Sequence, residues 1–213
     1  MNGISDFVRR NLKVPSAFLS LLFLCSTTVA FSGWGPFPRK QSSIGGISRD
    51  CSWELLPATV RDQLRAKYSS WRIQDTSNLS TLARQAWDNK KYKKPSECPG
   101  IAVGKFENTN ASYAVLLVPQ ARPDSAYRFL VFSRNIGRQD YRLAVLDQDD
   151  DGRAQNFFIR SVPIVDFFFD EQRRELKIGA NEGILLMEAA EKEYGAEVFF
   201  WTTNGYRHEQ REY

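Results

Sequence analysis

From residue 98 onward, apolar and polar positions alternate in short runs broken by turn-forming residues, a period of two that marks β-strands. Residues 101–106 and 112–118 flank the turn-like Glu107-Asn108-Thr109-Asn110, and 127–133 and 141–146 flank a second turn at 135–140. Further strands are predicted at 156–162, 164–169, 175–178 and 184–188. The clearest hairpin is the last: 196–203, then Asn204-Gly205, then 206–209. Asn-Gly tolerates positive φ at both central positions, which a tight two-residue turn requires. Hairpins joined by short turns, with no helices between them, predict antiparallel pairing.

Ahead of the strands the period lengthens. Pro57 suits the first turn of a helix, and Leu56, Val60, Leu64 and Tyr68 recur every four residues, with Arg61, Asp62, Arg65 and Lys67 on the opposite face. A shorter helix is predicted from Asn78 or Leu79 to Asp88, with Leu79, Leu82, Ala83, Ala86 and Trp87 inward and Ser77 or Asn78 as its cap. The expected fold class is α+β: a mostly antiparallel sheet of seven to nine strands with two N-terminal helices, in one domain over residues 51–213. Residues 31–50 are rich in Gly, Pro and Ser without an apolar period, and read as a linker or draped arm.

Residues 1–30 have the pattern of an export signal. Arg9, Arg10 and Lys13 precede a mostly apolar stretch, and Thr28-Val29-Ala30 ends it with a cleavage site of small residues. A lipid anchor on Cys25 would want a small residue before it, and Leu24 is large. The remaining alternative is an uncleaved anchor at 14–31, which is short for a bilayer and diluted by Ser and Thr. The expected location is the periplasm or the exterior, or the membrane if that segment is retained.

Export changes the reading of the cysteines. With Cys25 removed, Cys51 and Cys98 are left, and an even pair in an oxidising compartment is expected to form a disulfide. Two free thiols or a redox pair are the alternatives, but no C-x-x-C spacing is present and two cysteines make a poor zinc site. The charge changes as well. The leader holds three of the 29 Lys+Arg and one of the 25 Asp+Glu, leaving 26 against 24. That balance gives no broad basic field, so nucleic acid is not an expected partner. One basic run, Lys90-Lys91-Tyr92-Lys93-Lys94, reads as a solvated loop or as a contact to an anionic surface.

Asp147-Gln148-Asp149-Asp150-Asp151-Gly152 matches the start of an acidic calcium loop, with Asp147, Asp149 and Asp151 as candidate ligands. The ninth and twelfth loop positions are Gln155 and Phe158, so only weak calcium binding is expected and no other cofactor; otherwise the segment is a solvated acidic hairpin. The stretch Pro99-Gly100-Ile101-Ala102-Val103-Gly104-Lys105-Phe106 through Tyr113-Ala114-Val115-Leu116 resembles one FG-GAP or VCBS-type repeat, with Gly104, Phe106, Tyr113 and Ala114 at matching positions. That resemblance implies a hairpin whose acidic loop holds calcium in β-propellers. Here the loop reads Glu107, Asn108, Thr109 and Asn110, Lys105 and Ser112 replace acids, and no array of repeats follows. The hairpin is therefore expected without its metal. The layout, with its aromatic C-terminal hairpin, also resembles small exported bacterial proteins of unassigned function, which implies a scaffold and no activity.

Catalytic signatures are sparse. His208 is the lone histidine, near the C-terminus, with no nucleophile motif around it, and is expected to be an exposed residue. A carboxylate pair drawn from Asp166, Asp170, Glu188, Glu191 and Glu193 would serve glycoside hydrolysis, but acids are common enough to make that signal unspecific. The runs Phe157-Phe158, Phe167-Phe168-Phe169 and Phe199-Phe200-Trp201 would place aromatics on both faces of a sheet. Phe168, Phe200 and Trp201 are the candidates for an aromatic binding face, with core packing as the alternative. The function expected is a non-enzymatic exported domain that binds a protein or envelope component, such as an inhibitor or immunity-like protein. A carboxylate-pair hydrolase of glycan or peptidoglycan and a calcium-dependent adhesion module are the alternatives.

Overall fold

Every residue from Ala114 to Val118 is buried, so both faces of the strand that carries them, β3 (Ser112–Pro119), must be covered. In the computed structural model, which describes residues 51–88, 98–107, 110–135, 137–138, 140–189 and 194–212, the cover is a second sheet on one side and a helix on the other. The leader at 1–30, the arm at 31–50, the lysine run at 90–94, Asn108, Thr109, Glu191 and Glu193 lie outside the described residues.

Nine strands in two antiparallel sheets form the framework of the described chain. The first sheet contains β1 (Trp71–Ile73), β2 (Ile101–Gly104), β3, β4 (Tyr127–Arg134) and β5 (Tyr141–Asp149). The second runs β6 (Phe157–Pro163), β7 (Glu182–Ala189), β8 (Tyr194–Thr202), β9 (Gly205–Glu212) in simple succession. One edge of β3 is shared: β2 pairs with Ser112 to Val115, and β1 with Leu117 to Pro119. At the junction the Gly100 backbone lies so close to Gln74 that a Cβ would stand 2.4 Å from the Gln74 carbonyl oxygen, which only glycine permits. Gln74 is fully buried and reaches across to the other sheet, its Nε2 donating to the carbonyls of Ala154 (2.8 Å) and Phe157 (3.1 Å). The Ile159 amide donates to Pro99 O at 2.9 Å, closing the same corner.

Strand alternation sorts the apolar residues into layers. Ala114, Leu116, Val118, Phe129 and Val131 face Phe157, Ile159, Ile184, Leu186 and Phe199 between the sheets. Phe129 and Phe199 meet there edge-to-face at 5.0 Å. The opposite residues of the first sheet, Val115, Leu117, Leu130 and Phe132, pack against Leu56, Val60 and Leu64, the last two from helix α1 (Ala58–Lys67). On the outer side of the second sheet, Ala83 and Trp87 of α2 (Thr81–Asp88) cover Phe158 and Ala189. Ile164 and Phe168 cover Leu185, Val198 and Phe200 there.

Two local expectations are corrected. Residues 164–169 form no strand: Ile164–Asp166 is a single 3-10 turn, and a short helix α3 (Asp170–Glu175) follows the aromatic run. Residues 175–178 contribute an isolated bridge, Ile178 to Thr202, and no strand. The apolar run was real, but it packs as a coil over the second sheet instead of extending it. Cys51 and Cys98 stand at disulfide distance with Cα atoms 5.5 Å apart, joining the segment before α1 to the start of β2. Among the described residues, no helix is long and apolar enough to cross a membrane.

Candidate functional site

The aromatic run at 167–169 divides its three rings. Phe168 is buried against Phe200, ring centroids 4.8 Å apart, and Phe167 is half-buried. Phe169 is 81% exposed, and Val165 on the preceding turn is 61% exposed. The backbone that presents them is fixed at several points. The Phe168 amide donates to Ile164 O at 3.0 Å, the Phe169 amide to Gln172 Oε1 at 3.1 Å, and the Arg173 amide to Phe169 O at 2.9 Å. From β9, Arg211 places its guanidinium 5.0 Å from the Phe168 ring centre and donates to Phe167 O at 3.2 Å. An exposed phenylalanine on a segment held this firmly leaves its apolar area to water in the folded state.

Beside this apex α3 carries charge. Asp170 and Glu171 occupy its first turn, and Arg173 and Arg174 its last, each set favourable to the helix ends. A shallow depression of about 660 Å3 is lined by Asp170, Arg173, Arg174, Lys177, Ile178 and Thr203. Arg173 pairs with Asp170 at 3.7 Å, so three cations share one carboxylate.

A second polar group lies on the inner faces of the sheets. A bulge at Leu146 shifts the register of β5, so that Val145 pairs with Leu130 and Asp147 with Phe129. The extra residue turns Asp147 and Asp149 to the side of Phe129 and Tyr127, toward the second sheet. The buried Tyr127 hydroxyl donates to Asp147 Oδ2 at 2.5 Å, and burial, reinforced by that bond, pushes its pKa far up. Arg153 bridges the sheets, 3.5 Å from Asp149 Oδ2 and 3.2 Å from Glu188 Oε1. Glu197 on β8 is half-buried, and its pKa is raised first by burial and then by Asp147 and Glu188, with His208 opposing. Its charged form is thus penalised in the folded state, and stability is lost as pH rises from the ordinary glutamate range through the raised value. Glu197→Gln is expected to raise Tm at pH 7–8 and to leave it unchanged near pH 4, where both side chains are neutral. Parallel Tm profiles across that range would refute the assignment.

The remaining expected site residues are scattered. Asp149 accepts from the Asp151 amide at 2.8 Å, and Asp150 is held below the usual carboxylate range by the Arg128 guanidinium, which bonds it at 2.8 and 3.2 Å. Asp147, Asp149 and Asp151 therefore do not converge, and among the described residues no three His, Cys, Asp or Glu side chains stand together to hold a metal. Phe200 is buried, and Trp201 is half-buried with Arg142 5.1 Å from its ring centre. Glu107, from the hairpin that resembles an FG-GAP repeat, turns inward and accepts from Ser133 (2.5 Å) and Arg142 (2.8 Å). His208 lies on β9, exposed, its ring 5.2 Å from Phe199.

No family model, curated protein or solved structure matches this chain. The site therefore rests on geometry alone. Sequence reasoning names the Phe167–Phe169 run but chooses Phe168, and it misses Arg173, Arg174 and Lys177 because residues 170–174 are left as a connection between two expected strands. The alternation of acids before and bases after a helix's midpoint was present to be read.

Proposed function

We propose that this is an exported binding domain that engages a protein or an envelope component through the apex formed by Val165 and Phe169. The observation that carries this reading is the 81% exposure of Phe169 on a backbone pinned by Phe168, Gln172 and Arg211. An aromatic held rigid and wet loses little conformational entropy when covered, which is what a binding anchor needs. Capture from envelope extracts by residues 31–213 is expected to fall at least tenfold on Phe169→Ser with Tm unchanged. Equal recovery by both proteins would overturn the reading. Export itself predicts a mature N-terminus at Phe31, readable by intact-mass measurement on the native protein.

The carboxylate-pair alternative draws support from the electrostatic influence on Glu197 of Asp147, on the other sheet, and of Glu188, on the neighbouring strand of its own sheet. Glycan or peptidoglycan turnover abolished by Glu197→Gln would favour it over binding. The calcium-dependent alternative has less support, because the Asp147 and Asp149 carboxylates are already taken up by Tyr127, Arg153 and the Asp151 amide. Tm is expected to coincide in millimolar calcium and in chelator, and a calcium-dependent rise would restore that alternative.

A further inference from the structure

We propose that the envelope component met by the Phe169 apex is an anionic phospholipid surface, an inference that rests on the binding reading above. Phe169 and Val165 protrude, and a protruding apolar pair needs either a receiving pocket on a partner or the acyl boundary of a bilayer. One observation selects the bilayer. The depression beside the apex is open and shallow and offers Arg173, Arg174 and Lys177 against the single carboxylate of Asp170, which Arg173 already engages. Lipid phosphates beside an inserted phenylalanine would sit where Arg174 and Lys177 remain to meet them. The export reading agrees with this, since an export signal at 1–30 or a retained anchor at 14–31 would bring the chain to a bilayer. Asp166, Glu171 and Glu175 are exposed close by in sequence and oppose an anionic surface, so the apolar insertion supplies most of the affinity and the cations lining the depression the lipid preference.

The test is flotation of residues 31–213, which contain the whole compact unit Gly46–Tyr213, with vesicles of phosphatidylcholine alone or mixed with phosphatidylglycerol. Binding is expected on the mixed vesicles and to weaken with added salt. Phe169→Ser is expected to lower the partition coefficient about tenfold or more. Arg174→Glu combined with Lys177→Glu should lower it several-fold, with both variants retaining the parent circular dichroism and Tm. Absence of binding, equal binding to phosphatidylcholine alone, or binding that survives both variants would overturn the proposal. If vesicles are ignored while Phe169-dependent capture of an envelope protein persists, the lipid inference falls and the binding reading stands. If capture is also indifferent to Phe169, both fall.

Discussion

Reducing the Cys51–Cys98 bond, or replacing Cys98 with alanine, is expected to destabilise the protein by about 4 kcal/mol in the chain-entropy account. The two cysteines are 47 residues apart in sequence, and closing a loop of that length removes much of the freedom of the unfolded chain. The consequence is large because of what the bond joins. Cys98 lies one turn before β2, whose pairing with β3 is only four residues long, and Cys51 precedes the turn that delivers α1 to the first sheet. Both cysteines contribute to the same apolar cluster as Val60, Leu64 and Phe132. At about 2–4 °C per kcal/mol for a domain of this size, Tm should fall by roughly 8–16 °C in reductant. Calorimetry with and without dithiothreitol measures it. A shift under 2 °C would mean that the bond is absent in the native protein.

The β-rich, antiparallel character and the cysteine pairing were legible in the sequence because each rests on a local or countable signal. The last hairpin forms, but its turn sits one residue earlier than read: Thr202 pairs with Gly205, Thr203 and Asn204 are the turn residues, and the positive φ falls on Gly205 (+114°) and not on Asn204. The division into two stacked sheets was not legible. Phe157 and Phe158, or Phe199 and Phe200, show only that both strand faces are apolar, and either a sheet or a helix can cover an apolar face. The structure uses both: Phe199 meets Phe129 of the other sheet, and Phe158 meets Trp87 of α2 at 5.5 Å. Strand β1 was invisible for a different reason. Trp71–Ile73 is three residues long, too short for a period to register.

The polar residues were harder to place than the apolar ones. The sequence offers Asp147 and Asp149 as calcium ligands or as part of a solvated acidic hairpin, and their inward turn comes from a bulge at Leu146 that no composition or spacing announces. Glu197 carries no signal of its own in the sequence, yet in β8 it shares a face with Phe199. Near Phe169 the difficulty was secondary structure. Pro163 and the apolar residues after it suit a strand start as well as a coil, and only the packing of Ile164 and Phe168 into one cluster with Val198 decides for coil. Once the coil is accepted, Phe168 and Phe169 can no longer be assigned by alternation, and their burial must come from contacts.

Phe129→Ala is expected to cost about 3–5 kcal/mol, whereas Phe169→Ser should cost no more than about 0.5 kcal/mol. Phe129 is fully buried between the sheets, edge-to-face with Phe199 and clustered with Leu116, Val131 and Ile159. Neighbours from two sheets on opposite sides cannot collapse into the space it leaves without breaking strand register, so most of the cavity should persist. Phe169 touches water over most of its surface, and Ser at that position keeps the backbone amide and carbonyl that bond Gln172 and Arg173. Urea unfolding of both variants with an unchanged m-value measures the two costs directly. A Phe169→Ser loss above 2 kcal/mol would show the side chain to be covered in the native chain, and its exposure would then no longer support a binding role. A small loss there beside a large one at Phe129 would leave Phe169 without a structural reason to be apolar.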